Sequence, residues 1–270
     1  MRVADPDLAL DEVSRRLAAA VREAGALALG KFGAPIRQWI KGKNSPVCDA
    51  DVEVDQLLRE RLSRATPDYG WLSEESIDDQ ARLAARRVWI VDPIDGTRGF
   101  IAGHPDWAIS AALVEDGRPI VAALFAPAID EFLMAVKGEG AVRNGQAVAS
   151  TPGESLDGAR VAGPERLADW LAAIVPGFTR VPRVHSLALR IARVATGALD
   201  AALAGPNSHD WDLAAADLLV HEAGGALTTL DGRTPIYNRP DPVHGALFAA
   251  GRPRHATVMA LLRGRVSDVA

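Results

Sequence analysis

The chain has 270 residues, 48% hydrophobic and 24% charged, enough apolar material for one large domain or two closely packed ones. Its 30 basic and 35 acidic residues give a formal charge of −5, and with no basic run this balance speaks against a nucleic-acid polymer as partner. The single cysteine, Cys48, excludes an internal disulfide framework and suits the cytoplasm; neither a secretory leader nor a membrane span of ~18 apolar residues is expected.

Asp5-Pro6 has the form of an N-cap followed by proline at the first helical position. Val13, Leu17, Ala20, Val21, Ala24 and Leu27 recur at helical spacing, so the pattern predicts a helix over 6–29, ended by Gly30 and Gly33. A polar loop from Trp39 to Asp51 leads into a second helix with Val54, Leu57, Leu58, Arg61 and Leu62 inward. Either Asp49 or Asp51 is placed to cap it, and Lys41 and Lys43 bring positive charge to the loop. Gly70-Trp-Leu-Ser-Glu-Glu75 reads as a short strand ending in two carboxylates. The acidic stretch 76–80 and the basic stretch 82–87 read as an exposed excursion.

Val88 to Val91 has the apolar, β-rich composition of a buried strand, and it runs into Asp92-Pro-Ile-Asp-Gly-Thr97. Proline and glycine stiffen this turn, and they leave Asp92 and Asp95 close together. Like charges at short range are costly unless one is protonated or a cation lies between them. A hard, oxygen-seeking ion such as Mg²⁺ resolves the conflict, with the backbone N–H groups of Gly96 and Thr97 free to cradle an anion beside it. Asp and Gly after a strand are also ordinary turn residues; the whole run DPIDGT is what restricts the reading.

Further on, Trp107–Val114, Pro119–Phe125 and Glu131–Val136 read as strands of an antiparallel meander, with turns at 115–118 and at Asn144-Gly145. With the two helices they form an α+β half, residues 1–150, closed by a linker over 150–155. Residues 151–270 alternate strand and helix, as an α/β half does. In that half Ser186 opens a helix. His209-Asp-Trp-Asp212 leads into another, with a tight face of Ala214, Ala215, Leu218, Leu219 and Ala223 and a stop at Gly224. Asp212 lies in its first turn, where the helix dipole favours a carboxylate. Asp217 and His221 are spaced to pair along the helix, and Asp210 reads as structural.

Three stretches, Ser45-Pro-Val-Cys-Asp-Ala-Asp51 through Glu74-Glu75, the run DPIDGT at 92–97, and Trp211-Asp-Leu-Ala-Ala with Glu222-Ala-Gly-Gly225, together resemble the inositol monophosphatase-like family of metal-dependent, lithium-sensitive phosphatases. The resemblance implies an α/β fold with α+β character, a layered αβαβα sandwich of the sugar-phosphatase type shared with fructose-1,6-bisphosphatase. It assigns Glu74, Asp92 and the Ile94 carbonyl to a first metal, and Asp92, Asp95 and Asp212 to a second. Two or three Mg²⁺ ions are implied, with Thr97 and Asp51 orienting the attacking water and Glu74 and Glu75 at its side. Gly96, Thr97, His185, Ser186 and Asp212 are the implied substrate contacts. Cys48 replaces the family's usual threonine, and a catalytic thiol is the sharper alternative for it. On the residues themselves, five carboxylates on four segments supply oxygen ligands, while zinc-type His/Cys spacing and a P-loop are both absent from the sequence.

The substrate expected is a small phosphorylated metabolite. In inositol monophosphatases a glutamate seven positions before the Trp-Asp aspartate holds the ring hydroxyls; here that position is Gly205. Gly205-Pro206 and Tyr237–Gly245 look more like the bacterial 3′(2′),5′-bisphosphate nucleotidase branch, with inositol-1-monophosphatase or histidinol-phosphate phosphatase as alternatives. A non-catalytic ligand sensor on the same fold is the remote alternative, and a homodimer is the assembly that the resemblance implies.

Overall fold

The computed structural model describes residues 9–42 and 45–265. Helix α1 (Leu10–Lys31) buries Val13, Leu17, Ala20, Val21, Ala24 and Ala28. It runs through Gly30 and stops only where Gly33 takes φ +76°, a left-handed conformation that glycine adopts without strain. The Asp5-Pro6 start lies outside the described residues.

Trp39–Asp51 is not a plain loop. Strands β1 (Gln38–Lys41) and β2 (Ser45–Cys48) pair antiparallel from Gln38↔Cys48 to Lys41↔Ser45. Helix α2 (Asp49–Ala65) follows at once. Its N-cap is Cys48, and Asp51 three residues on returns the bond by accepting the Cys48 backbone N–H at 2.8 Å. Val54, Leu58 and Leu62 face inward as the spacing predicts, but Arg61 faces out and binds Glu23 through Nε and Nη2.

A seven-stranded sheet follows. Its strands are β3 (Gly70–Ser73), β4 (Arg87–Asp95), β5 (Ala108–Glu115), β6 (Arg118–Ala126), β7 (Glu131–Val136), β8 (Gly140–Arg143) and β9 (Gln146–Val148), in that spatial order. Only β3 and β4 run parallel; the rest is an antiparallel meander. A short helix α3 (Thr97–Ile101) separates β4 from β5. All nine residues of β4 are buried, as a strand covered on both faces requires. The excursion before it is less exposed than its charge suggests. Arg82 is 2% exposed: its guanidinium binds Asp78 at 2.6 Å and reaches Asn238 Oδ1 and the Arg239 carbonyl, 156 and 157 residues away.

The second sheet collects β10 (Arg160–Ala162), β11 (Thr179–Arg180), β12 (Ala201–Ala204), β14 (Gly225–Thr229) and β16 (Leu247–Gly251), ordered β11-β10-β12-β16-β14. Two-residue strands β13 (Ser208–His209) and β15 (Val243–His244) form a clip of their own. The helices are α4 (Glu165–Ile174), α5 (Leu187–Ala195), α6 (Asp210–Glu222) and α7 (Arg252–Leu262). Helices α1 and α2 cover one face of the large sheet over Trp89, Val91, Trp107 and Ile109. Helices α5 and α6 lie between the two sheets, and α4 and α7 close the far side over Val161, Leu203 and Phe248. The layers are therefore αβαβα. Alanines 214, 215 and 216 on α6 are all buried, which lets this helix sit close to strands on both sides.

Candidate active site

The chemistry gathers at the C-terminal end of β4. In a regular strand, residues three apart point to opposite faces. Asp92 lies opposite Ser110 on β5, but Asp95 lies opposite Ala108, so three steps on β4 match two on β5. This is a β-bulge at Pro93-Ile94, and proline suits it because it has no N–H for the ladder to lose. The extra residue returns Asp95 to the same side as Asp92. A carboxylate oxygen of each, with one from Asp212 in the first turn of α6, lie within 4.8 Å of one another.

Each acid is differently held. Asp95 accepts the Ser186 hydroxyl at 2.5 Å and the Ala188 backbone N–H at 2.6 Å, from the start of α5. Asp212 accepts the His209 backbone N–H at 2.6 Å, closing the N-terminal box of α6. Asp92 is 1% exposed, and its Oδ1 has no hydrogen-bond partner among the described residues. Glu74, just past β3, donates its backbone N–H to the Val91 carbonyl and so stands beside β4. Burial, then repulsion from Glu75, raises its carboxyl to about 7. Burial and mutual repulsion push Asp92 and Asp212 well above the usual carboxylate range, and burial raises Asp95. A buried orphan oxygen among acids that repel one another is the environment a divalent cation relieves, and the all-oxygen donor set fits Mg²⁺-like chemistry.

Asp51 and Thr97 meet as the resemblance implies: Thr97 Oγ1 lies 3.0 Å from Asp51 Oδ1 and 3.0 Å from the Ile94 carbonyl. Burial raises the Asp51 carboxyl. The Cys48 thiol donates to Asp51 Oδ2 at 2.8 Å. Burial, then the adjacent Asp51 charge, pushes that thiol up to about 12, so it stays protonated and serves as a hydrogen-bond donor, not a nucleophile. Lys41, on the β1–β2 hairpin, reaches Glu75 Oε1 at 3.0 Å and the Glu74 carbonyl at 2.5 Å. Lys43 lies outside the described residues.

Gly96 adopts φ +94°, and a Cβ there would come within 3.0 Å of the Ser186 nitrogen. The turn at 96 thus docks directly against the segment 185–186. Ser186 corrects its expectation as a substrate contact: it is fully buried, and its hydroxyl is occupied by Asp95 and by the Leu189 N–H. Its work is to hold a carboxylate. His185 does line the opening, with Pro46, Thr97, Arg98, Gly99 and Arg183 beside the acids, around a cavity of about 190 Å³. A larger cleft of about 660 Å³ lies between 230–232 and α7. Converging charged groups, not volume, make the smaller one the candidate site.

Asp106 escaped the sequence reading. It accepts the His185 backbone N–H at 2.7 Å and touches the ring Nδ1 at 2.8 Å. No local pattern marks a partner 79 residues away. Asp217 and His221 do not pair: Asp217 accepts the Tyr237 hydroxyl at 3.0 Å, while His221 lies beside Arg252.

A layered αβαβα sandwich with acids converging at the end of a bulged strand is the architecture of metal-dependent sugar-phosphatase-type hydrolases. Residues 9–266 match the model of the inositol monophosphatase family. A histidinol-phosphatase of Mycobacterium tuberculosis is 38% identical over 235 residues, covering 82% of this chain and 88% of that protein. An inositol-1-monophosphatase of Rhizobium meliloti is 35% identical over 205 residues, covering 72% and 75%. Among solved structures, Thermotoga maritima IMPase superposes with a TM-score of 0.82 at 26% identity, over 96% of this chain and 100% of that one. The chain belongs to the inositol monophosphatase family, and it is a phosphoric monoester hydrolase. No helix among the described residues is long and apolar enough to cross a membrane.

Proposed function

We propose that the protein is a Mg²⁺-dependent, Li⁺-sensitive phosphatase whose substrate carries a second anionic group, favouring a 3′(2′),5′-bisphosphate nucleotidase that splits 3′-phosphoadenosine 5′-phosphate into AMP and phosphate. The observation that carries this reading is the charge of the lining: Arg98 and Arg183 border the same cavity as the carboxylates, with His185 beside them. A leaving group with a further phosphate meets guanidinium groups there, whereas an aminoalkyl phosphate brings its ammonium toward them. Gly205 at the inositol-reading position supports the same choice.

Glu74, Asp92, the Ile94 carbonyl, Asp95 and Asp212 would hold two or three Mg²⁺, which when bound neutralise phosphate charge and activate water for in-line displacement. Thr97 donates its hydroxyl hydrogen bond to Asp51, so its oxygen accepts one from the attacking water and aims the water's lone pair. The raised affinity of buried Asp51 for protons suits it to receive the one that water loses. Asp95 keeps its direction because Ser186 and Ala188 grip one oxygen. Gly96 and Thr97 present backbone N–H groups to the phosphate, and His185 faces the leaving group. A cytoplasmic homodimer fits the lone buried thiol and the exposed Ile77, Leu83 and Ile236 on segments tied together by Arg82.

The test is phosphate release from 3′-phosphoadenosine 5′-phosphate, inositol 1-phosphate and histidinol phosphate, with Mg²⁺, with chelator and with Li⁺. The bisphosphate should give the highest kcat/KM, chelator should abolish it, and Li⁺ should inhibit. Arg183→Glu should raise KM for the bisphosphate about tenfold, equivalent to ~1.4 kcal/mol, with a smaller change for inositol 1-phosphate. Histidinol phosphate is the second reading, resting on the name of the M. tuberculosis relative; a clear preference for it would displace the nucleotidase.

A further inference from the structure

Beyond α3 in the chain, His104 and Asp106 meet His185 in a second cluster, each with a ligand atom within 4.8 Å of the others. It is a built arrangement. Asp106 accepts the His185 backbone N–H at 2.7 Å, its two carboxylate oxygens lie 2.8 and 3.0 Å from the His185 Nδ1, and its carbonyl accepts the Ser186 N–H at 3.0 Å. Gly99 makes the space: a Cβ there would lie 2.7 Å from the His185 Cβ and 2.8 Å from its Cγ. The His104 ring lies over that of His185, centroids 4.3 Å apart and planes 17° from parallel. His104 is exposed, and its ring is in no hydrogen bond among the described residues.

We propose that these three side chains bind one transition-metal dication of the Zn²⁺ or Co²⁺ kind, at a rim site chemically separate from the oxygen-only cluster. Two imidazoles and one carboxylate are the donors such ions choose, and donors that Mg²⁺ does not. Imidazole lone pairs lie in the ring plane, so the stacked rings cannot both aim at one ion as they stand. Exposed His104 must turn out of the stack toward Asp106, while the His185 ring keeps its place against Gly99 and the ion replaces the proton shared between His185 Nδ1 and Asp106, releasing it to solvent. Since His185 also borders the carboxylate cavity, an ion held there adds positive charge at the mouth through which substrate enters.

The test uses the intact protein with excess Mg²⁺ present, so that the carboxylates are filled, and titrates in Co²⁺. Low-coordinate Co²⁺ with histidine ligands absorbs visible light much more strongly than six-coordinate Co²⁺ bound by oxygens alone. A strong band saturating at a single equivalent, displaced by Zn²⁺ and weakened at least about tenfold in affinity by His104→Ala and by Asp106→Asn, is the expected result. A wild-type protein without that band, or a His104→Ala protein that keeps it at unchanged affinity, overturns the proposal. His104 is on the surface, so its replacement does not threaten folding, and the readout needs no turnover, so it stands or falls apart from the phosphatase reading.

Discussion

Helix α6 carries two acidic environments within its first turn, and they are built on opposite rules. Asp210 is fully buried, yet every demand is met: His244 Nε2 lies 2.6 Å from Oδ1, and the Asn238 N–H donates to Oδ2 at 2.7 Å. Two residues on, Asp212 faces Asp92, Asp95 and Glu74, where charges of one sign raise one another's pKa. The first arrangement fastens the 237–244 loop to the helix. The second costs stability, and in the proposed function it serves the metal ions. An acid's burial says little; whether its neighbours hydrogen-bond it or repel it separates scaffold from candidate site.

Four variants press on this contrast. The largest effect belongs to Asp95→Asn, which should lower phosphate release by on the order of 10²–10³-fold, the scale of losing one organised electrostatic group. Because it removes one of the mutually repelling charges, the melting temperature measured without metal should not fall; a variant with normal turnover removes Asp95 from the site. On the partnered side, His244→Ala leaves an Asp210 oxygen buried without its hydrogen-bond partner and should cost roughly 1–3 kcal/mol in urea denaturation. A loss under about 1 kcal/mol would make the pair an ornament and collapse the contrast.

Asp217 lies between the two rules. Its carboxyl has Tyr237 as a partner, but burial still raises it to about 6. The folded state then holds a proton that the unfolded chain releases near 4, so stability is full below pH 4 and falls as pH rises toward 6. That loss amounts to roughly 3 kcal/mol at most for a shift of this size. Asp217→Asn should remove this part of the pH slope between 4 and 6, and denaturation curves at several pH values will show whether it does. The smallest effect is expected from Cys48→Ser, which keeps a donor to Asp51. Stability should change by less than about 1 kcal/mol, and phosphate release should persist, since the protonated thiol attacks nothing.

Asp92, Asp95 and Thr97 drew the eye because they fall in one short run, DPIDGT. Glu74 and Asp212 lie on separate segments and entered the candidate set through the family resemblance, and the structure brings Asp212 to within 4.8 Å of Asp92 and Asp95. How they come to share a side could not be read, because a bulge is a mismatch between two strands, and one strand's sequence does not state its partner's count. The same limit hid Asp106, whose partner lies far along the chain, and Arg82, whose charge suggested water until Asn238 and Arg239 supplied acceptors. The β1–β2 hairpin was missed because its strand residues Gln38 to Ile40 are exposed and lack an inward apolar face. Helix and strand periods were read well wherever one face met a core.

The miscount at Pro93-Ile94 also sets what this protein can tolerate. Add one residue to β5 between Ala108 and Ser110, so that three steps match three, and the pleat would send the second acid through the sheet, into the hydrocarbon packed beneath α1 and α2. Such an insertion would empty the reaction centre and plant a bare charge in the interior in a single stroke. Length at this corner is thus as binding as chemistry: a substitution there can be graded, but a regularised ladder cannot.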